Sequence, residues 1–431
     1  MTLFAFLAFF NARSQTTYFP PLSGNTWNAV SPASLGWCQD QLDTLVDYLG
    51  SRNTKAFIIL KDGKIALEKY YAPFTQDSVW YWASAGKTLT AFTVGIAQQE
   101  GLLSINDTTS QYLNTGWTSC TASKEDLITI KNQLTMTSGL DDGVPDYTCT
   151  IDTCLQYLAD AGTRWAYHNG PYTLLDDVIQ SATGQTLNSY FSQKIGIQTG
   201  ITGSYFPSGY NNVFFSKPRS MARFALLMLN KGIWSGNSVL SDTAYFNQMI
   251  NTSQLLNPSY GYLWWLNGKT SFMLPTLQTV FPGSLNPSAP DDMFAAIGKN
   301  GQLINIVPSQ NLVFIRMGNS PGTGGAVPIA FNDTIWQKLN TVFCNASSSE
   351  SYPGESRLKV YPIPTKQMVT LELPQQFFDL LVTDLTGRII FENKHIWQKL
   401  EIDIQNFEKG IYLVHVATSK STYCKKILVL R

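Results

Sequence analysis

The sequence predicts an α/β (α+β) chain. An antiparallel sheet flanked by helices carries a helical insertion and is followed by a small C-terminal β-sandwich. Three patterns predict this. Ala56-Phe-Ile-Ile-Leu and Ile65-Ala-Leu-Glu flank Asp62–Gly63, a strong hairpin dipeptide. Three apolar runs, Met293-Phe-Ala-Ala-Ile, Leu303-Ile-Asn-Ile-Val and Leu312-Val-Phe-Ile-Arg, recur far downstream. After a small, polar stretch at residues 346–357, the pattern changes to short alternating runs of period two. Strands from both ends of the first region, with a largely helical middle from about Ser84 to Met249, make one sheet with an insertion.

Composition narrows the function. The 431 residues carry 30 Lys+Arg and 30 Asp+Glu, a formal net charge of zero. No basic run is interleaved with aromatics, so a nucleic-acid surface has no electrostatic support. No apolar run reaches the roughly 20 residues of a membrane span. There are three histidines, and His395 and His415 lie near the C-terminus. Only His168 lies in the main body, so neither a multi-histidine zinc site nor an ordinary Ser-His-Asp triad is expected. No metal or organic cofactor is implied.

Taken in order, Leu3 to Phe10 is apolar and precedes the small, polar Asn11 to Gln15. Residues 1–15 therefore read as a signal peptide. Residues 27–345 make the main domain, 346–357 a linker with Pro353–Gly354 near its end, and 358–431 the β-module. In the module, six runs, among them Val369-Thr-Leu-Glu-Leu and Ile411-Tyr-Leu-Val-His-Val, predict six or seven strands.

Chemistry points first to Ser84–Ala85–Gly86–Lys87. The following Thr88-Leu-Thr-Ala-Phe-Thr-Val-Gly-Ile-Ala carries no charge, so the helix it forms is buried. Ser84 then sits at the helix N-terminus, where developing negative charge is favoured, with Lys87 one turn on. A desolvated lysine falls below its usual pKa of about 10.4 and can act as a base. A capping serine with an exposed lysine is the plainer reading of the tetrapeptide; the apolar helix decides against it. Second, Tyr167–His168–Asn169 on an extended segment turns Tyr167 and Asn169 to one side and His168 to the other. A phenol beside a lysine can move protons. The Asn169 amide can hold a substrate carbonyl, and His168 reads as structural. Third, Gly298–Lys299–Asn300–Gly301 lies between two predicted strands. A backbone N–H there, with that of Ser84, would make an oxyanion hole.

These three motifs, in this order, resemble the serine β-lactamase and D-alanyl-D-alanine carboxypeptidase superfamily. The resemblance runs from about Trp27 to Cys344 and is nearest to the class C-like esterases and 6-aminohexanoate-dimer hydrolases. Ile128-Thr-Ile-Lys-Asn-Gln-Leu-Thr-Met-Thr-Ser-Gly-Leu and Tyr260-Gly-Tyr-Leu-Trp-Trp add to it. It implies a β-lactamase/transpeptidase-like fold, Ser84 as nucleophile, Lys87 as general base, Tyr167 as partner in proton transfer and Asn169 facing substrate. The third motif departs from the usual Lys-Thr-Gly. Either Lys299–Asn300–Gly301 fills it, or Gly298 stands last and Lys299 supplies the N–H. The expected activity is cleavage of an ester, amide or lactam in a small-molecule or peptide substrate. The alternative is a non-catalytic peptidoglycan- or glycan-binding surface protein.

The C-terminal words Val360-Tyr-Pro-Ile-Pro-Thr, Asp384-Leu-Thr-Gly-Arg and Gly410-Ile-Tyr-Leu resemble the sorting domain of the type IX secretion system, with Ile363 departing from the usual Tyr-Pro-Asn-Pro. That implies a Bacteroidetes-type protein, secreted or surface-attached, with the secretion machinery as partner. Export permits disulfides. Cys149 and Cys154 flank a short loop and can bridge. The resembling fold sets the first and last helices side by side, which implies a Cys38–Cys344 bridge. Cys120 and Cys424 are expected free.

Overall fold

The computed structural model describes residues 17–322, 327–344, 358–384, 388–418 and 422–430. The expected signal peptide and linker lie outside them. The chain divides into two compact units, Met1–Cys344 and Asn345–Arg431.

The first unit is built on a six-stranded antiparallel sheet. Its strands are β1 (Thr54–Lys61), β2 (Lys64–Tyr70), β3 (Trp265–Leu266), β4 (Phe294–Gly298), β5 (Gln302–Val307) and β6 (Leu312–Gly318), in the order β2-β1-β6-β5-β4-β3. Chain ends thus meet at the β1–β6 pair, where Ile58 faces Ile315. The β1–β2 turn has Asp62 and Gly63 at φ 51° and 79°, the left-handed pair a two-residue hairpin needs. A side chain at Gly63 would also collide with the Tyr18 carbonyl, 1.9 Å from where its Cβ would stand.

Every residue of β4, β5 and β6 is buried. Both faces of the sheet are covered, which is why these strands read as apolar runs rather than alternations. Helices α1 (Gln39–Ser51) and α5 (Ile329–Val342) cover one face, where Trp336 meets Phe314 at 5.4 Å. Helix α4 (Pro218–Leu229) covers the other, where Phe224 stacks on Trp264 and Trp264 meets Phe294 at 5.1 Å. The insertion carries α2 (Lys87–Gln99), buried from Lys87 to Ala97, and the amphipathic α3 (Leu175–Thr183).

Two expectations need correction. The middle is not only helical: Trp80–Tyr81, Gly203–Ser208 and Asn211–Ser216 form a three-stranded sheet. Among the described residues of the second unit the expected six or seven strands are five. Met368–Asp384 and Ile389–Asp403 each merge two predicted runs and pair across their length, with register shifts at Glu372/Phe377, Phe378/Leu380 and Val382/Thr383. Bulges bend a strand without ending it. Both halves of these strands share one core that includes Val369, Leu371, Val382, Ile402, Val414 and Ile427.

Cys38 and Cys344 are disulfide-bonded with Cα atoms 5.5 Å apart, and Cys149 and Cys154 with Cα atoms 5.9 Å apart. Cys120 is unpaired. The Cys424 side chain lies outside the described residues.

Candidate active site

Ser84 owes its position to Trp82. The buried Trp82 donates its backbone N–H to the Phe214 carbonyl at 2.8 Å and its indole N–H to Ser216 Oγ at 2.8 Å. Ala83 follows at φ 47°, a left-handed conformation that a non-glycine residue adopts only when its surroundings impose it. That kink starts a single 3₁₀ turn, Ala83–Gly86, which runs directly into α2. Ser84 is half-buried at the N-terminal end of this helical run, and Lys87 stands one turn on as predicted.

Lys87 is buried, with Nζ 3.4 Å from Ser84 Oγ. The ammonium lies over the Tyr172 ring at 4.0 Å and faces the Tyr167 ring at 5.5 Å. Burial lowers its pKa to about 7, against the opposing pull of Asp176. That shift brings the neutral amine, the form able to accept a proton, within reach near neutral pH.

Burial pushes the Tyr167 phenol well above its ordinary value, against the opposing pull of the neighbouring Ser84 hydroxyl. The phenol thus keeps its proton. Its ring stacks on Trp265 at 5.9 Å and meets Tyr260 edge-on at 6.2 Å. Asn169 is buried, and its Oδ1 has no hydrogen-bond partner. Contrary to expectation the extended segment stops at His168, and Asn169 is the first residue of a short helix, Asn169–Thr173. His168 is buried, both ring nitrogens lack partners, and burial lowers its pKa to about 4. It is a neutral, enclosed ring.

The third motif ends β4 against the serine turn. A Cβ at Gly298 would stand 2.6 Å from the Trp82 carbonyl oxygen, 2.9 Å from the Ala85 nitrogen and 3.2 Å from the Ser84 nitrogen. Only glycine permits that approach, and it brings the Gly298–Lys299 backbone beside the Ser84 N–H. Asn300, at φ 64°, turns away and donates to the Tyr81 hydroxyl at 2.7 Å. Lys299 is exposed. Arg316 holds the turn from below, donating to the carbonyls of Asn300 at 2.9 Å and Gly301 at 2.7 Å. Among the described residues no group of His, Cys, Asp or Glu side chains could hold a metal. A groove of about 680 Å³ lined by Tyr112, Trp117, Leu174 and Asp177 does not include Ser84.

Sequence reasoning missed Tyr172, Asp176 and Arg316. Nothing in a strand pattern marks Arg316, whereas Tyr172 and Asp176 are spaced one helical turn apart.

The family described as Beta-lactamase matches residues 42–332, more than half of the chain. The chain belongs to the β-lactamase family. Residues 359–430 match the family described as a secretion system C-terminal sorting domain. That tail marks the protein as exported, secreted or attached at the outer surface. An uncharacterized protein of Alkalihalophilus pseudofirmus is 25% identical over 326 residues, covering 67% of this chain and 88% of its own length. A Bacillus anthracis protein described as a 6-aminohexanoate-dimer hydrolase superposes with a TM-score of 0.55 at 16% identity, covering 75% of this chain and 90% of its own. A family VIII carboxylesterase does so with a TM-score of 0.52 at 14% identity, covering 71% and 99%. At these identities the structural likeness speaks for the fold.

Proposed function

We propose that the protein is an exported serine hydrolase that cleaves a carboxylic ester, amide or lactam through an acyl-enzyme on Ser84. The observation that carries this reading is the buried Lys87 amine 3.4 Å from Ser84 Oγ, with its pKa near neutrality. Lys87 takes the Ser84 proton as Oγ bonds to the substrate carbonyl carbon. The oxyanion that forms faces the Ser84 N–H and, on the second of the two motif alignments, the backbone N–H of Lys299; the close approach of Gly298 to the Ser84 nitrogen supports that alignment. Tyr167, which keeps its own proton, bridges Ser84 and Lys87 and relays a proton to the leaving alcohol or amine. Water then attacks the acyl-enzyme with Lys87 again as base, the acid leaves, and Ser84 regains its proton. Asn169, with its free buried amide oxygen, orients the substrate.

A fluorophosphonate probe should label the full-length protein and fail to label Ser84→Ala. Turnover of a panel of esters, D-amino-acid peptides and β-lactams then ranks substrates. No labelling and no turnover would leave a surface-binding protein that keeps the fold without the chemistry.

A further inference from the structure

Asp176 occupies an unusual place. It lies in the first turn of α3, and its Oδ2 accepts from Asn212 Nδ2 at 3.0 Å. Its Oδ1 is shut off from solvent and has no hydrogen-bond partner. No salt bridge reaches this carboxylate among the described residues. Asp176 is half-buried with one carboxylate oxygen enclosed and unpaired, which costs stability, so its place there calls for another reason.

The two packed helical segments supply one. Tyr172 and Asp176 are four residues apart and share a face. Lys87 and Thr90, three apart on α2, share the face opposite. Lys87 Nζ rests on the Tyr172 ring at 4.0 Å, and Thr90 Oγ1 lies 3.4 Å from the Tyr172 hydroxyl and 3.3 Å from that of Tyr205. Asp176 therefore stands one turn beyond the ring that seats the lysine. Among the described residues, Lys87, Asp177, Tyr172 and Tyr205 interact electrostatically with Asp176, and Lys87 is the cation of that set.

We propose that Asp176 is a positioning residue: through the Tyr172 seat its carboxylate holds the Lys87 amine on Ser84 and decides at what pH that amine is free to act. The inference rests on Lys87 as the base. The sign follows from charge. A carboxylate favours the protonated lysine, so removing it lets Lys87 lose its proton at lower pH. Burial raises the Asp176 carboxyl toward the range where Lys87 titrates.

The test is the second-order rate of fluorophosphonate labelling of the full-length protein as a function of pH. The acid limb should sit near pH 7 in the wild type. In Asp176→Asn it should move down by on the order of half a pH unit or more. Asn212→Ala, which takes away the hydrogen bond to Asp176 Oδ2, should move it the same way by less, because an unsupported carboxylate ionises less readily. Limbs that stay in place in both variants, while Lys87→Ala cannot be labelled, overturn the role of Asp176 and leave the base standing. Full labelling of Lys87→Ala overturns the base reading itself.

Discussion

Among the described residues of the first unit Asp62, Lys87, Glu125, Arg223 and Arg316 are buried charged residues, whereas in the second the buried polar side chains are Thr365, Thr370 and Thr383. Taking an ion out of water costs several kcal/mol even after relaxation. The tail unit, which serves as an address, does without that cost and packs valine, leucine and isoleucine. The catalytic unit accepts it, and in Arg316 even without a carboxylate. Five protein oxygens take its donors: Thr54 Oγ1 and the carbonyls of Arg52, Asn300, Gly301 and Asn319. At Lys87 and Arg316 the buried charge lies against the serine turn and the turn after β4, whereas Glu125 ties Gly116 and Thr118, and Arg223 ties Thr199 and Pro21, away from Ser84.

The contrast is sharpest at Lys87. Lys87→Ala should lower kcat/KM by about a thousandfold or more, since members of a catalytic unit fail together. Thermal stability should hold or rise, because a desolvated amine has been removed. A large fall in Tm with modest kinetic loss would make Lys87 a structural residue and dissolve the contrast. Next comes Gly298→Ala. The added methyl must push the serine turn away from β4, so turnover should fall on the order of ten- to a hundredfold with the far-ultraviolet spectrum unchanged. Wild-type rates there would place the oxyanion site elsewhere. Smallest is the effect of ending the chain at Ser349. Specific activity should match the full-length protein, with export or surface attachment lost. A folded but inactive truncated protein would mean that the tail takes part in the reaction.

Much of the site was legible because its chemistry is local. Ser84, Lys87 and the uncharged helix after them sit within one window, and burial of that helix follows from its composition. Tyr167 and Gly298 were legible as motifs but not in their surroundings. Asp176 was not legible: in Leu175–Asp176–Asp177–Val178 two adjacent acids on an amphipathic helix read as solvent-facing, and only the fold brings Asn212 onto one of them and shuts one of its oxygens off from water. The Gly203–Ser216 hairpin was missed because Gly209–Tyr210 is a weak turn signal within a helical region. The tail strands were divided because a bulge and a turn both interrupt alternation, and period alone does not separate them.

The bond between Cys38 and Cys344 joins the start of α1 to the chain just past α5, at the point where the first unit ends. It makes the stretch between them a closed covalent ring of sequence separation 306. If the tail is held at a surface, tension along the chain enters the ring at Cys344. An unbridged α5 would meet that pull from its last turn and peel away one turn at a time. With the clasp closed, the load is divided at once between α5 and α1, whose ends are tied together. Both helices would then have to slide off the sheet together, so the β1–β6 seam they cover, and the turn Arg316 holds beside Ser84, are shielded from mechanical load.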